Sequence, residues 1–211
     1  FGFISAVDVA TEALDRLHTT AESHDRVMLL EVMGRDAGWI ALWAGVAGGA
    51  DCIAIPEVPY DPDRFADKIK ERRLRGRRFT LIVAAEGATP IEGESMPSAV
   101  PHGKGTITKG GAAATLATLL TERIDVETRT TVLGHLQRGG GPVAFDRVLA
   151  TQFGVHAVEL IHAGRWGQMV RLHDGDISSV PLRDAVATYR TVEADNRLMS
   201  TARAVGIEFG G

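Results

Sequence analysis

The sequence predicts an α/β protein with a doubly wound, mostly parallel sheet, and three observations carry that prediction. The apolar runs RVMLLEV (26–32), CIAI (52–55) and FTLIVAA (79–85) are short and nearly unbroken, as strands buried on both faces are. Stretches with helical spacing of apolar residues separate them. Glycine or polar residues close each of those stretches, so strands alternate with helices, an order that folds through right-handed crossovers.

Phe3, Val7, Ala10, Leu14 and Leu17 recur at helical spacing and predict a helix over 3 to about 18, which the polar run 19–25 ends. The first strand follows at 26–32. A helix over 36 to about 47 carries Trp39 and Trp43 one turn apart and stops at Gly48 and Gly49. The second strand, 52–55, closes at Pro56. The next helix, from about 62 to 75, turns Phe65, Ile69 and Leu74 inward and ends at Gly76. Its basic run 72–78 complements the helix dipole and reads as a solvated helix end rather than a nucleic-acid patch. The third strand is 79–85. Residues 87–111 are rich in glycine and proline and lack a period, which predicts a loop long enough to carry function. A helix resumes over 112–123. The β-branched residues Thr128, Thr130, Thr131 and Val132 predict a fourth strand, which breaks at Gly134 into a loop. Phe145, Val148, Leu149, Phe153, Ala157, Leu160 and Ile161 predict a strongly amphipathic helix. A weak strand at 169–172 and short helices near 181–187 and 197–205 complete the chain.

At 211 residues and 45% hydrophobic content the chain can bury a core in one large or two small domains. A formal charge of -4 gives no reason to expect nucleic acid as a partner. No apolar run approaches the roughly 20 residues needed to cross a bilayer. Cys52 is the single cysteine, which excludes an internal disulfide and fits a reducing, cytoplasmic location. Its CIAIP setting makes it a small buried apolar residue. The opening FGFISAVDVA has no methionine, no signal-peptide layout and no capping sequence before the first helix, and reads as cut from something longer.

In doubly wound sheets ligands sit outside the carboxyl ends of the strands. Met33, Gly34 and Arg35 follow one strand, Glu86 another, and His135 with Arg138 a third, so one rule brings them to one rim. Gly34 lets the chain pass close to a ligand. Arg35 is placed near the N-terminus of the next helix, where anions are favoured; the alternative is a surface ion pair with Asp36. Glu86 leaves an apolar strand, where an unpaired carboxylate is costly, so either an arginine or a ligand hydroxyl partners it. His135 can donate to a phosphate in either protonation state, or is simply an exposed loop histidine. Gly139, Gly140 and Gly141 leave N–H groups open to an anion. The stretch 127–147 is therefore a site for phosphate or sugar phosphate, or a glycine-rich turn with surface arginines. Arg26 and Arg129 start their strands, away from the rim; they act across a subunit interface or are plain edge arginines. His24, His102 and His156 have no zinc-site spacing, and no serine elbow, Cys-His pair, GxxxxGK loop or GxGxxG turn occurs.

Read together, RVMLLEVMGRDAGWIAL (26–42), VAAEG (83–87) and ETRTTVLGHLQRGGGPVAFDR (127–147) resemble 6-phosphofructokinase in order and spacing. The closing ARAVGIEFGG is similar to the C-terminal end of the actinobacterial, mixed-substrate branch. The resemblance implies phosphoryl transfer to the 1-hydroxyl of fructose 6-phosphate in glycolysis. It implies that Met33, Gly34, Arg35, Glu86, His135 and Arg138 hold the sugar, with Leu136 and Gln137 in the same run. Arg35 would also face the transferring phosphoryl group. Arg26 and Arg129 would reach the sugar's 6-phosphate from a neighbouring identical subunit.

The departures are equally specific. The family's TxDND-like catalytic aspartate and its GGD segment for nucleotide and magnesium do not occur here, so Mg2+ with ATP, or pyrophosphate, would be held outside this sequence. Gly141 stands where the family has Ser or Thr. The resemblance places a fructose 6-phosphate domain at 1–137, the C-terminal part of a nucleotide domain at 138–190, and a helix returning to the sugar domain at 191–211. It further implies that the helix over 145–161, lacking most of its sheet, exposes or repacks its apolar face. A noncatalytic sugar-phosphate sensor and a pyrophosphate-using enzyme are the alternatives.

Overall fold

A computed structural model describes residues 1–21, 26–92, 101–102, 106–107 and 111–211. His24 and most of the 87–111 loop lie outside the described residues. Two compact units form.

The larger unit comprises 6–139 and 191–211. Its centre is β1 (Arg26–Val32), whose residues from Val27 onward are all buried. Such a strand needs neighbours on both edges and cover on both faces. It pairs in parallel with β3 (Thr80–Ala85) on one side and β6 (Glu127–Val132) on the other. The strand β2 (Cys52–Ala54) adds to β3, giving the order β2-β3-β1-β6, all parallel. The sequence's doubly wound reading holds. At the outer edge of β2 the end of the chain adds a bridge, where Ile53 donates to the Glu208 carbonyl at 2.9 Å and Glu208 to that of Asp51 at 3.0 Å.

Helices cover the sheet. In α1 (Phe3–Ala21), Val7, Ala10 and Leu14 are buried. The helix α2 (Trp39–Ala47) meets α1 where a Cβ on Gly48 would lie 2.6 Å from Leu14. A proline at the first helical position and Asp61, accepting from Asp63 N–H at 2.9 Å, start α3 (Pro62–Leu74). Phe65 and Ile69 of α3 and Leu116, Leu119 and Leu120 of α4 (Ala112–Arg123) share one core with Val27, Leu29 and Ile82.

The smaller unit, 1–5 and 140–190, holds α5 (Ala144–His162) and a hairpin. The strands β7 (Gln168–His173) and β8 (Asp176–Pro181) pair antiparallel about Asp174 and Gly175, whose φ values of 51° and 90° fit a tight two-residue turn. Asp146 accepts from Gly2 N–H (2.6 Å), Ser5 N–H (2.8 Å) and Ser5 Oγ (2.7 Å), fixing the start of α1. Two-residue strands β4 (Pro101–His102) and β5 (Thr106–Ile107), and the short helices α6 (Leu182–Ala185) and α7 (Arg197–Ala204), complete the described elements. Among the described residues no helix is long and apolar enough to cross a membrane.

Several expectations change. Leu74 is 90% exposed, because it falls on the last turn of α3 beyond its packed stretch. Arg72 is no solvated cation: it pairs with a largely buried Asp51 at 2.5 Å and donates to the Phe79 carbonyl. The weak strand at 169–172 is half of a hairpin. One expectation stands: the apolar face of the helix over 145–161 is largely uncovered in this chain, since in α5 only Leu149 and Leu160 of the seven apolar positions named above are buried, while Phe145, Val148 and Ile161 are more than half exposed.

Candidate functional site

The carboxyl end of β1 is a node where successive polar groups bind different elements. The Glu31 carbonyl accepts from Leu133 N–H at 3.1 Å, and the Val32 carbonyl from Glu86 N–H at 2.9 Å. Met33 N–H donates to Gln137 Oε1 at 2.6 Å. Gly34 N–H approaches Glu86 Oε1 at 3.4 Å, and its carbonyl accepts from Gly87 N–H at 3.1 Å. The ends of β1 and β3, and the turn after β6, are thereby tied into one rim. Gly34 has a φ of 144°, and a Cβ there would lie 2.7 Å from the Ala37 carbonyl, so this turn requires glycine. Glu57 holds the next stretch, accepting from Gly38 N–H at 3.0 Å and Val192 N–H at 2.8 Å.

Arg35, Glu86, His135 and Arg138 are exposed at this end of the sheet, and Met33 and Gly34 are half-buried. Three sequence readings need correction here. Glu86 is exposed rather than trapped in an apolar setting, so the cost of burying its charge does not select a partner for it. Arg35 precedes α2 by four residues and is not in its first turn. His135, Leu136, Gln137 and Arg138 sit in a 3₁₀ helix, Gly134–Arg138, and not in an open loop. Because that helix closes with Gly139 N–H on the Leu136 carbonyl at 3.2 Å, one of the glycine donors offered to an anion is already engaged. The same tight turn separates the four side chains. Leu136 is 70% exposed, whereas Gln137 is buried and braces Met33.

Arg26 and Arg129 lie at the other end of the strands. In the β1·β6 register Arg26 faces Glu127, and its Nε donates to Glu127 Oε2 at 2.7 Å; the Arg129 guanidinium pairs with the same carboxylate. The length of β1 puts this cluster about 20 Å from the rim. One chain cannot bring both to a single small molecule.

Glu31 escaped notice because it is one acid within an apolar strand, and that position is the signal that could have found it. It is buried, with Oε2 accepting from Ala113 N–H, in the first turn of α4, at 3.0 Å. Burial raises its pKa, the Ala113 N–H partly offsets this, and the nearby charge of Glu86 adds to the rise. A hollow of about 400 Å³ lies at the amino ends of β2 and β3, lined by Asp51, Lys68, Arg72, Arg75 and Arg77 among others, away from this rim. Among the described residues no group of three or more His, Cys, Asp or Glu side chains is placed to hold a metal ion.

A parallel α/β sheet with charged side chains gathered beyond its strand ends has the architecture in which ligands sit outside the carboxyl ends of the strands. The chain belongs to the phosphofructokinase family, whose model matches residues 1–161. It is 50% identical over 211 residues to the ATP-dependent 6-phosphofructokinase 2 of Clostridium perfringens, covering 99% of this chain and 58% of that protein. It is 50% identical over 201 residues to the ATP-dependent 6-phosphofructokinase 2 of Streptomyces coelicolor, covering 92% of this chain and 58% of that one. Among solved structures, Pichia pastoris phosphofructokinase aligns with a TM-score of 0.71 at 34% identity, over 95% of this chain and 21% of the other. A pyrophosphate-dependent phosphofructokinase from Marinobacter aquaeolei aligns at 0.70 and 25% identity, over 90% and 48%. The chain thus spans a little over half the length of the curated relatives it matches.

Proposed function

We propose that this chain is the sugar-phosphate-binding part of a longer, cytoplasmic ATP-dependent 6-phosphofructokinase, which transfers a phosphoryl group to the 1-hydroxyl of fructose 6-phosphate. The observation that carries the proposal is the joining of Met33–Gly34–Arg35, Glu86 and the His135–Arg138 turn into one rim by the bonds at the end of β1. Names of relatives at about half identity support the sugar and favour ATP over pyrophosphate as donor. The closing ARAVGIEFGG supports the actinobacterial-like branch.

In this reading the unit of 6–139 and 191–211 is the sugar domain, and the unit of 1–5 and 140–190 belongs to the nucleotide domain. The exposed apolar side chains of α5 fit a helix whose remaining cover lies outside this chain. Arg138 and His135 donate to phosphate oxygens, and Glu86 accepts from sugar hydroxyls. Leu136, 70% exposed, contributes contact surface. Arg35 offsets charge developing on the transferred group, where electrostatics and positioning supply most of the acceleration. Arg26 and Arg129, remote from the rim of their own chain, serve the 6-phosphate of an identical neighbour, with Glu127 holding both. ATP brings magnesium to the whole enzyme. Among the described residues no group of three or more His, Cys, Asp or Glu side chains is placed to hold that ion.

The test is a coupled assay for fructose 1,6-bisphosphate with the protein that carries this chain, with and without Arg35→Ala and Arg138→Ala. Loss of activity in both is expected. Binding of the sugar without turnover would favour a noncatalytic sensor instead.

A further inference from the structure

We propose that Gln137 is a positioning residue for the phosphoryl transfer proposed above: from beneath the rim it fixes the spacing between the turn that carries Arg35 and the turn that carries His135 and Arg138. The inference deepens that function and rests on it.

Gln137 is the buried member of its 3₁₀ helix, 4% exposed between a Leu136 at 70% and an exposed Arg138. Met33 N–H can only donate, so the Gln137 amide oxygen faces it, at 2.6 Å, and Nε2 is turned away. That bond crosses 104 residues of sequence and runs directly from the turn after β6 to the turn after β1. It ends two residues before Arg35 on one side and starts one residue before Arg138 on the other. Leu133 N–H on the Glu31 carbonyl, at 3.1 Å, only continues the pairing of β6 with β1, and so holds the strands rather than the turns. On its far side the Arg35 turn is held toward β3, where Gly87 N–H donates to the Gly34 carbonyl at 3.1 Å. The turn thus hangs between two bonds, and Gln137 supplies the one that faces His135 and Arg138.

The same side chain makes a poor brace for the fold. Its Nε2 is buried and meets no acceptor among the described residues. A buried donor left unmade costs about as much as a hydrogen bond contributes, so the two halves of the amide nearly cancel in stability. What remains is geometric: the bond to Met33 sets how far Arg35 stands from the groups that would hold the sugar.

Gln137→Met separates position from stability. It keeps length and burial, removes the acceptor and the orphaned donor together, and leaves the N–H of the half-buried Met33 to water. The midpoint of urea unfolding should hold, while amide exchange at Met33 speeds up about tenfold or more and that at Leu30 does not. In the protein that carries this chain, kcat with fructose 6-phosphate should fall about tenfold to a hundredfold with KM within about threefold, because Arg35 is misplaced against a sugar still held. Beside Arg35→Ala the same change should lower kcat by less than about twofold, since the group it positions is gone. Unchanged kcat in the single variant overturns the role, and so does an equal fall with and without Arg35. A fall in kcat that tracks a lowered unfolding midpoint also overturns it, as the mark of a merely structural tie. Met33 exchange that stays slow in the variant refutes the bond itself. If the wild type makes no fructose 1,6-bisphosphate, the function proposed above falls and this role falls with it.

Discussion

Gly87→Ala is the sharpest perturbation of the rim. A Cβ at residue 87 would lie 1.9 Å from the Arg35 carbonyl oxygen, and ordinary contact begins at 3.4 Å. The carbonyl must therefore retreat by about 1.5 Å, and because it is backbone no side-chain rotation relieves it. Movement on that scale also breaks the 3.1 Å bond from Gly87 N–H to the Gly34 carbonyl. Overpacking of this kind costs about 1–3 kcal/mol and the lost bond about 1 kcal/mol, so the variant should lose about 2–4 kcal/mol. Function should suffer more, since displacing a catalytic group by about 1 Å can lower turnover on the order of a hundredfold. Urea unfolding with a backbone probe measures the first quantity, and kcat for fructose 6-phosphate in the protein that carries this chain measures the second. If stability drops by less than about 0.5 kcal/mol and kcat holds, Gly87 does not press on the Arg35 turn and the rim is looser than described.

Three further outcomes follow from the packing. Gly111→Ala should cost about 1–3 kcal/mol in wild type and far less beside Glu31→Ala, because its Cβ collides with the Glu31 carboxylate; a double-mutant cycle in urea with no coupling would refute the contact. Burial pulls the Asp146 carboxyl upward, but the Ser5 hydroxyl and the N–H groups of Gly2 and Ser5 outweigh it and leave its pKa below the ordinary value. Its stabilisation is complete above about pH 4 and fades as pH falls through the lower folded value. Asp146→Asn should flatten that acid limb and speed amide exchange at Ser5, and an unchanged pH profile would contradict the assignment. Val155, 58% exposed on α5, should tolerate lysine within about 0.5 kcal/mol in this chain, whereas in the protein that carries this chain the same change should destabilise if that face is covered there.

The parallel sheet was legible because β1, β2 and β3 are buried on both faces and thus written as unbroken apolar runs. The strand β6 was legible for another reason: its β-branched threonines fit an exposed edge, where burial leaves no mark. What escaped were features set by contacts distant in sequence. Leu74 looks inward by periodicity, but the core beneath α3 ends a turn earlier. Arg72 looks like one cation in a basic run until Asp51 is brought beside it from another strand start. The strand β8, DISSVP, has Ile177 and Val180 separated by two serines and so lacks the alternation of a strand, and only its turn could have disclosed it.

At the rim the same distinction decides which residues a sequence can reveal. Arg35 and Glu86 were found because each directly follows an apolar strand, and His135 and Arg138 because a glycine-rich stretch follows a β-branched one; both patterns are visible in one dimension. Glu31 and Gln137 were not assigned their structural work, because each acts on a partner some eighty or a hundred residues away: Ala113 for one, Met33 for the other. Residues that would meet a ligand are thus written locally, while those that hold them are written across the fold. Arg26 and Arg129 obey the same logic from the opposite end of the sheet. Their shared carboxylate, Glu127, sets their spacing within one chain, yet about 20 Å of strand separates them from their own rim. Two arginines held side by side by one carboxylate, and still open to solvent, suit an anion presented by a second molecule. If Glu127→Gln raised KM for fructose 6-phosphate but left KM for a sugar lacking the 6-phosphate unchanged, the pair would be serving that phosphate; equal effects on both sugars would instead make it a simple brace between β1 and β6.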